Sequence, residues 1–86
     1  MLIQFTKSQL SSADEDLLAR LPVSAVVVVM GDACMLAPDT LQTGQAQCVW
    51  YAPDAALRGI DVQQRNTITV EQLCELSAQY SPWIKW

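Results

Sequence analysis

The residues able to do chemistry gather just past the stretch Ser24–Ala37, SAVVVVMGDACMLA, where Asp32 and Cys34 follow a run of four valines. A thiol and a carboxylate two positions apart suggest nucleophilic or sulfur chemistry on Cys34. A carboxylate beside a thiol nevertheless disfavours the thiolate, and no Lys, Arg or His lies near in sequence to offset Asp32. Cys34 therefore has two open readings. It is a reactive thiol that meets backbone N–H groups beyond a strand end, or a small hydrophobe packed among Ala33, Met35 and Leu36.

The other cysteines, Cys48 and Cys74, lie within apolar patterns and read as core positions. Three unevenly spaced thiols without a CxxC fit a reducing compartment rather than a disulfide framework. They also lack the close pair and fourth ligand of a zinc site, so no metal and no other cofactor is expected. The chain contains no histidine, which removes the Ser-His-Asp and Cys-His nucleophile pairs.

Any such site depends on the elements that position it. Four consecutive valines leave no polar face, so the segment from Ala25 to Met30 reads as a strand buried on both sides. That is the signature of a parallel sheet covered by helices. Ligands of open α/β sheets gather at the carboxyl ends of the strands, where Asp32 and Cys34 fall. Met1–Phe5 reads as a first strand and Ala46–Ala52 as another. Ser12 to Glu15 fits a capping box that opens a helix with Leu17, Leu18 and Leu21 on its apolar face, stopped by Pro22.

Residues 38–45, PDTLQTGQ, are short for a parallel crossover and can leave part of one sheet face bare. Asp54–Arg58 fits a brief helix closed by Gly59, and residues 65–68 a brief strand. Thr69 to Gln72 forms a second capping box. Its helix presents Val70, Leu73, Cys74, Ser77 and Tyr80, and Ser81-Pro82 ends it. Trp83–Trp86 reads as an edge strand with Ile84 and Trp86 on one side and Trp83 and Lys85 on the other.

Composition bounds the rest. The chain of 86 residues reads as one domain spanning 1–86, is 51% hydrophobic and 16% charged, and carries a net charge of −4. A small domain this apolar is expected to hide surface against a partner, and isolated chains are expected to self-associate. Without a basic cluster, direct nucleic-acid binding is not expected. No apolar run reaches the roughly 18 residues of a membrane span, and no cleavable signal opens the chain. A cytoplasmic protein is expected.

Two segments, VWYAPDAALRGI and TITVEQLCELSAQYSPWIKW, together with the strand ending in GDACMLA, resemble the TusB/DsrH family of sulfur-relay subunits. The resemblance runs in order along nearly the whole chain, to the last tryptophan. It implies an α/β fold, a three-layer α/β/α DsrE-like domain with a mostly parallel sheet of four or five strands. It implies partners as well, C/F-type (TusC/DsrF-like) and D/E-type (TusD/DsrE-like) sisters in a dimer of heterotrimers. One branch of these proteins serves 2-thiolation of the tRNA wobble uridine, another dissimilatory sulfur oxidation.

In the D/E-type sister the sulfur-bearing cysteine sits in the loop after the strand that corresponds here to Gln47–Tyr51. This chain has Ala52, Pro53 and Asp54 there and no thiol, so the resemblance implies a noncatalytic subunit. The crossover at residues 38–45 is shorter than the helix usual in the family. The alternatives are a small sulfurtransferase carrying persulfide on Cys34, and a self-associating module without a sulfur role. Interface candidates are Trp83, Trp86 and Arg58. Arg58 reads either as a solvated helix-end charge or as the partner of a phosphate or acid. Asp32 reads either as a cap or as an orienting group for a partner.

Overall fold

The computed structural model describes residues 1–36, 41, 43–60, 66–80 and 82–86. Five strands form one sheet: β1 (Leu2–Phe5), β2 (Val26–Val29), β3 (Gln47–Tyr51), β4 (Thr67–Ile68) and β5 (Trp83–Lys85). Their order across the sheet is β4-β3-β2-β1-β5, and every pairing is parallel. The helices are α1 (Ser12–Ala19), α2 (Ala52–Leu57) and α3 (Val70–Gln79), with a 3₁₀ segment at Gly31–Met35. This is an α/β fold.

The order explains where the helices go. From β1 to β4 the chain steps across the sheet in one direction, and right-handed connections then fall on one face. Only the return from β4 to β5, at the opposite edge, runs over the other face. The two cores match. Ile3, Phe5, Val27, Val29 and Trp50 pack with Leu18 of α1, Cys34 of the 3₁₀ segment and Ala55 of α2. Leu2, Val26, Val28, Val49 and Ile68 pack with Leu73 and Leu76 of α3 and with Tyr80, its C-cap. Alternate valines of β2 serve alternate cores, and all four are buried.

The expected elements are present with shifted limits. The first capping box is built from Ser11 and Asp14 rather than Ser12 and Glu15. The Asp14 amide donates to Ser11 Oγ, and the Ser11 amide donates to the Asp14 carboxylate, both at 3.1 Å. Lys7 Nζ fixes that carboxylate from outside at 2.9 Å, a contact that Glu15 does not have. Lys7, with the Ser11 amide, holds Asp14 below the usual carboxylate range. Leu18 and Leu21 turn inward, whereas Leu17 is exposed. The second capping box stands as read, from Thr69 to Gln72.

On α3 the apolar face is rotated from the expected one. Leu73, Leu76 and Tyr80 pack on the sheet, while Val70 and Cys74 are exposed. The two leucines and the tyrosine carry the most apolar surface, and they take the buried side. The expected bare face at the short crossover concerns residues 38–45, of which 38–40 and 42 lie outside the described residues. Leu41 is buried in the core on the α1 face. Gly44 adopts φ +61°, and a Cβ there would press into the Ala19 carbonyl oxygen, so only glycine fits.

The carboxyl-terminal segment is an edge strand, as the alternation predicts. Ile84 and Trp86 pack against the core on the α1 face. The Trp86 ring meets Phe5 edge to face, with centroids 6.0 Å apart. Its backbone N–H donates to Gln4 at 2.8 Å, and its carbonyl accepts from the Thr6 N–H at 2.9 Å.

Two stability outcomes follow from these contacts. Trp86→Ala removes the Phe5 contact and half-buried apolar surface, and is expected to cost about 2–3 kcal/mol. Melting by circular dichroism should then fall by about 8–20 °C. Gly44→Ala is expected to destabilise by more than the ~1 kcal/mol typical of a point change, read in the same melts.

Candidate interaction site at the carboxyl edge of the sheet

In a parallel sheet all strands deliver their following residues to one edge. A crevice opens there only where neighbouring strands send their connections to opposite faces. Between β2 and β3 both connections leave on the α1 face, and no such opening arises. Between β3 and β4 they part, because β3 runs into α2 on one face and β4 into α3 on the other. A cleft of about 460 Å³ lies at this point, lined by Ala52, Pro53, Ala56, Thr69, Val70 and Glu71. The surroundings of Asp32 and Cys34, favoured by sequence, are therefore one strand away from the opening.

The first wall needs no loop. Tyr51 ends β3 and is already the N-cap of α2, so Ala52, Pro53 and Asp54 form the first helical turn rather than a loop before it. Pro53 suits that turn, where a missing N–H costs nothing. Gly59, with φ +69°, lies just past the carboxyl end of α2. The second wall is the first turn of α3, held by its capping box. The Thr69 hydroxyl is occupied in that box, accepting from the Gln72 amide. The cleft thus has an apolar floor with one carboxylate, Glu71, on its rim.

Polar contacts brace the first wall against the 3₁₀ segment. The Gly31 N–H donates to the Asp54 carboxylate at 2.7 Å, across 23 positions of chain. Gly31 has φ +57°, a left-handed conformation that glycine adopts readily as β2 breaks into the 3₁₀ turn. Arg58 donates to Asp32 at 3.2 Å and to the Asp54 carbonyl, also at 3.2 Å. Asp32 and Arg58, read as separate candidates, are thus partners of one another. The pair is exposed on the Asp32 side, and its own contribution is under ~1 kcal/mol.

None of the three thiols lines the cleft. Cys34 is fully buried in the α1-side core, and its S–H donates to the Val29 carbonyl at 3.6 Å. Cys48 is half-buried on β3, and burial pushes its thiol up to about 11. Cys74 is exposed on α3, contrary to the core position expected for it. The expectation failed because Cys74 lies one step around the helix from the Leu73–Leu76–Tyr80 face. Among the described residues no group of three His, Cys, Asp or Glu side chains is placed to hold a metal.

Trp83, on β5 at the far edge of the sheet, and Trp86, just after it, take no part in the cleft. The sequence reading does not place Ala56, Thr69, Val70 or Glu71 in a site, although it names the last three in the capping box that opens α3. Their signal was present, since residues just after two adjacent parallel strands must meet. It becomes usable only once β3 and β4 are known to be neighbours. No helix among the described residues is long and apolar enough to cross a membrane.

Thiol accessibility now has a definite order. Under native conditions Cys74 should alkylate fastest, Cys48 slowly and Cys34 only on unfolding, as followed by mass spectrometry with iodoacetamide. Cys48 also links stability to alkaline pH. Its folded value near 11 stands above the ordinary thiol value of 9.0, so the folded state disfavours the thiolate. The stability is intact below pH 9 and is lost as pH rises to 11, by on the order of 2–3 kcal/mol. Cys48→Ala should flatten that part of the urea-midpoint profile against pH. A profile unchanged by the substitution would show that Cys48 is not the titrating group.

No family model matches this chain, and no curated protein or solved structure shows significant similarity to it.

Proposed function

We propose that this chain is a noncatalytic, TusB/DsrH-like subunit of a cytoplasmic sulfur-relay complex that passes persulfide sulfur towards 2-thiolation of the tRNA wobble uridine. One observation carries the reading. The segment Ala52–Asp54, which the resemblance matches to the sulfur-carrier position of the D/E-type sister, borders the cleft where this topology opens. In this chain that position holds alanine, proline and a carboxylate already engaged with the Gly31 amide. A site with an apolar floor and no nucleophile suits docking rather than sulfur transfer.

Thiol chemistry supports this role. A persulfide carrier needs an accessible thiolate that can attack and then release sulfur. Cys34 has no exposed surface, Cys48 is kept protonated near neutral pH, and Cys74, though exposed, does not line the cleft. The subunit's contribution is to shape the assembly in which a C/F-type and a D/E-type sister act. The apolar residues Pro53, Ala56 and Val70 offer a contact surface for a sister, with Leu57, 82% exposed, close in sequence. The net charge of −4 leaves contact with tRNA to other proteins of the relay.

The test is reconstitution. Co-expressed with TusC/DsrF-like and TusD/DsrE-like subunits, the tagged chain should elute with both in equal stoichiometry by native mass spectrometry. Val70→Asp changes an exposed cleft residue, so the fold should survive while sister binding weakens at least tenfold. Cys34→Ser should leave sulfur transfer by the complex unchanged. Absence of any complex would refute the assembly role. Cyanide-labile sulfur on the isolated chain, lost in Cys34→Ser, would instead make this chain the carrier.

A further inference from the structure

Among the described residues the outer side of β5 is an unpaired sheet edge with a self-complementary pattern. The Pro82 carbonyl accepts from Leu2 at 3.1 Å, and the Trp86 N–H and carbonyl bond to Gln4 and Thr6 of the neighbouring segment. Backbone groups alternate along a strand, so Ile84 also turns towards β1. The N–H and C=O of Trp83 and Lys85 then turn outward. Among the described residues nothing pairs with that side. Register with Leu2 and Gln4 puts the side chains of Trp83 and Lys85 on one face, and both are exposed, Trp83 by 45%.

We propose that β5 is an interface for a second copy of this chain, added antiparallel about a two-fold axis at Ile84. That register sets Trp83 of each copy opposite Lys85 of the other. Both residues have outward backbone groups, so each opposed pair exchanges two N–H···O bonds. Four bonds join two five-stranded sheets into one of ten strands. Each Lys85 ammonium also meets a Trp83 indole across the junction, a cation–π and cross-strand pair formed twice by symmetry.

The alternatives are weaker on the same residues. An axis at Lys85 sets two ammonium groups against each other. An axis at Trp83 leaves Lys85 without an aromatic partner. Head-to-tail addition must use the opposite edge, where β4 has only two residues, and it would not close. A lysine on an edge strand ordinarily blocks pairing. Here a tryptophan two residues away supplies the surface that accepts it. This inference does not depend on the sulfur-relay reading.

Sedimentation equilibrium of the isolated chain, from micromolar to hundreds of micromolar, tests it. The parent should approach twice the 9.5 kDa monomer mass. Trp83→Lys places lysine against lysine and should weaken the dimer at least tenfold. Adding Lys85→Trp to it exchanges the partners and should restore the dimer. Lys85→Pro deletes an outward N–H but none of the bonds to β1, so it should give a monomer with the parent's far-UV spectrum. The interface is read from whichever single variant keeps that spectrum. A monomeric parent, a folded single variant that still dimerises, or a double variant that stays monomeric would each overturn the proposal.

Discussion

Burial of β2 on both faces is the constraint from which the rest of this structure follows. Four valines with no polar side must be covered above and below, and a chain this short has few helices to do it. The strand order divides the work. Three successive parallel steps place α1, the 3₁₀ segment and α2 over one face. The single return from β4 to β5 stretches α3 across the other. No residue of α3 is fully buried, yet its two leucines and Tyr80 seal the Leu2, Val26, Val28 and Val49 side. Hydrophobic burial, rather than helix propensity, holds that helix in place.

The same division makes the cleft. A sheet whose connections all left on one face would have no crevice at its carboxyl edge. Because β3 and β4 are the neighbours whose connections part, the helix starts at Ala52 and Val70 stand apart across the opening. The Asp54 bond to the Gly31 amide then ties the first wall to the end of the valine strand. The central strand thus sets both the core and, through one hydrogen bond from the Gly31 amide to the Asp54 side chain, the position of the cleft wall.

Legibility in the sequence tracks the range of the interaction. The valine strand, the Thr69 capping box and the alternation of Trp83 to Trp86 are local patterns, and each is found in the structure. The first capping box was misplaced by one residue because two overlapping candidates share the Ser-Ser and Asp-Glu pairs. Lys7, outside the motif, is bonded to Asp14, the acid that closes the box. Cys74 was misassigned because helix periodicity fixes spacing but not which of two neighbouring stripes faces the sheet. The cleft and the Asp32–Arg58 pair were illegible for a further reason. They join residues 13 to 26 positions apart, and only strand order brings them together.

Burial also separates the thiols by role. Cys34 fills space beneath the strand end, and a thiol enclosed there trades nucleophilic access for packing. Cys48 faces the same core and is held in its neutral form by desolvation. Cys74 is the most exposed of the three, on a helix whose other side seals the sheet. Strand ends, helix starts and the cleft converge at the carboxyl edge, where this chain has Ala52 and Pro53, while Cys34 and Cys48 pack in the core. The sheet thus carries an apolar cleft towards one side and, at its far edge, a strand whose Trp83 and Lys85 are exposed.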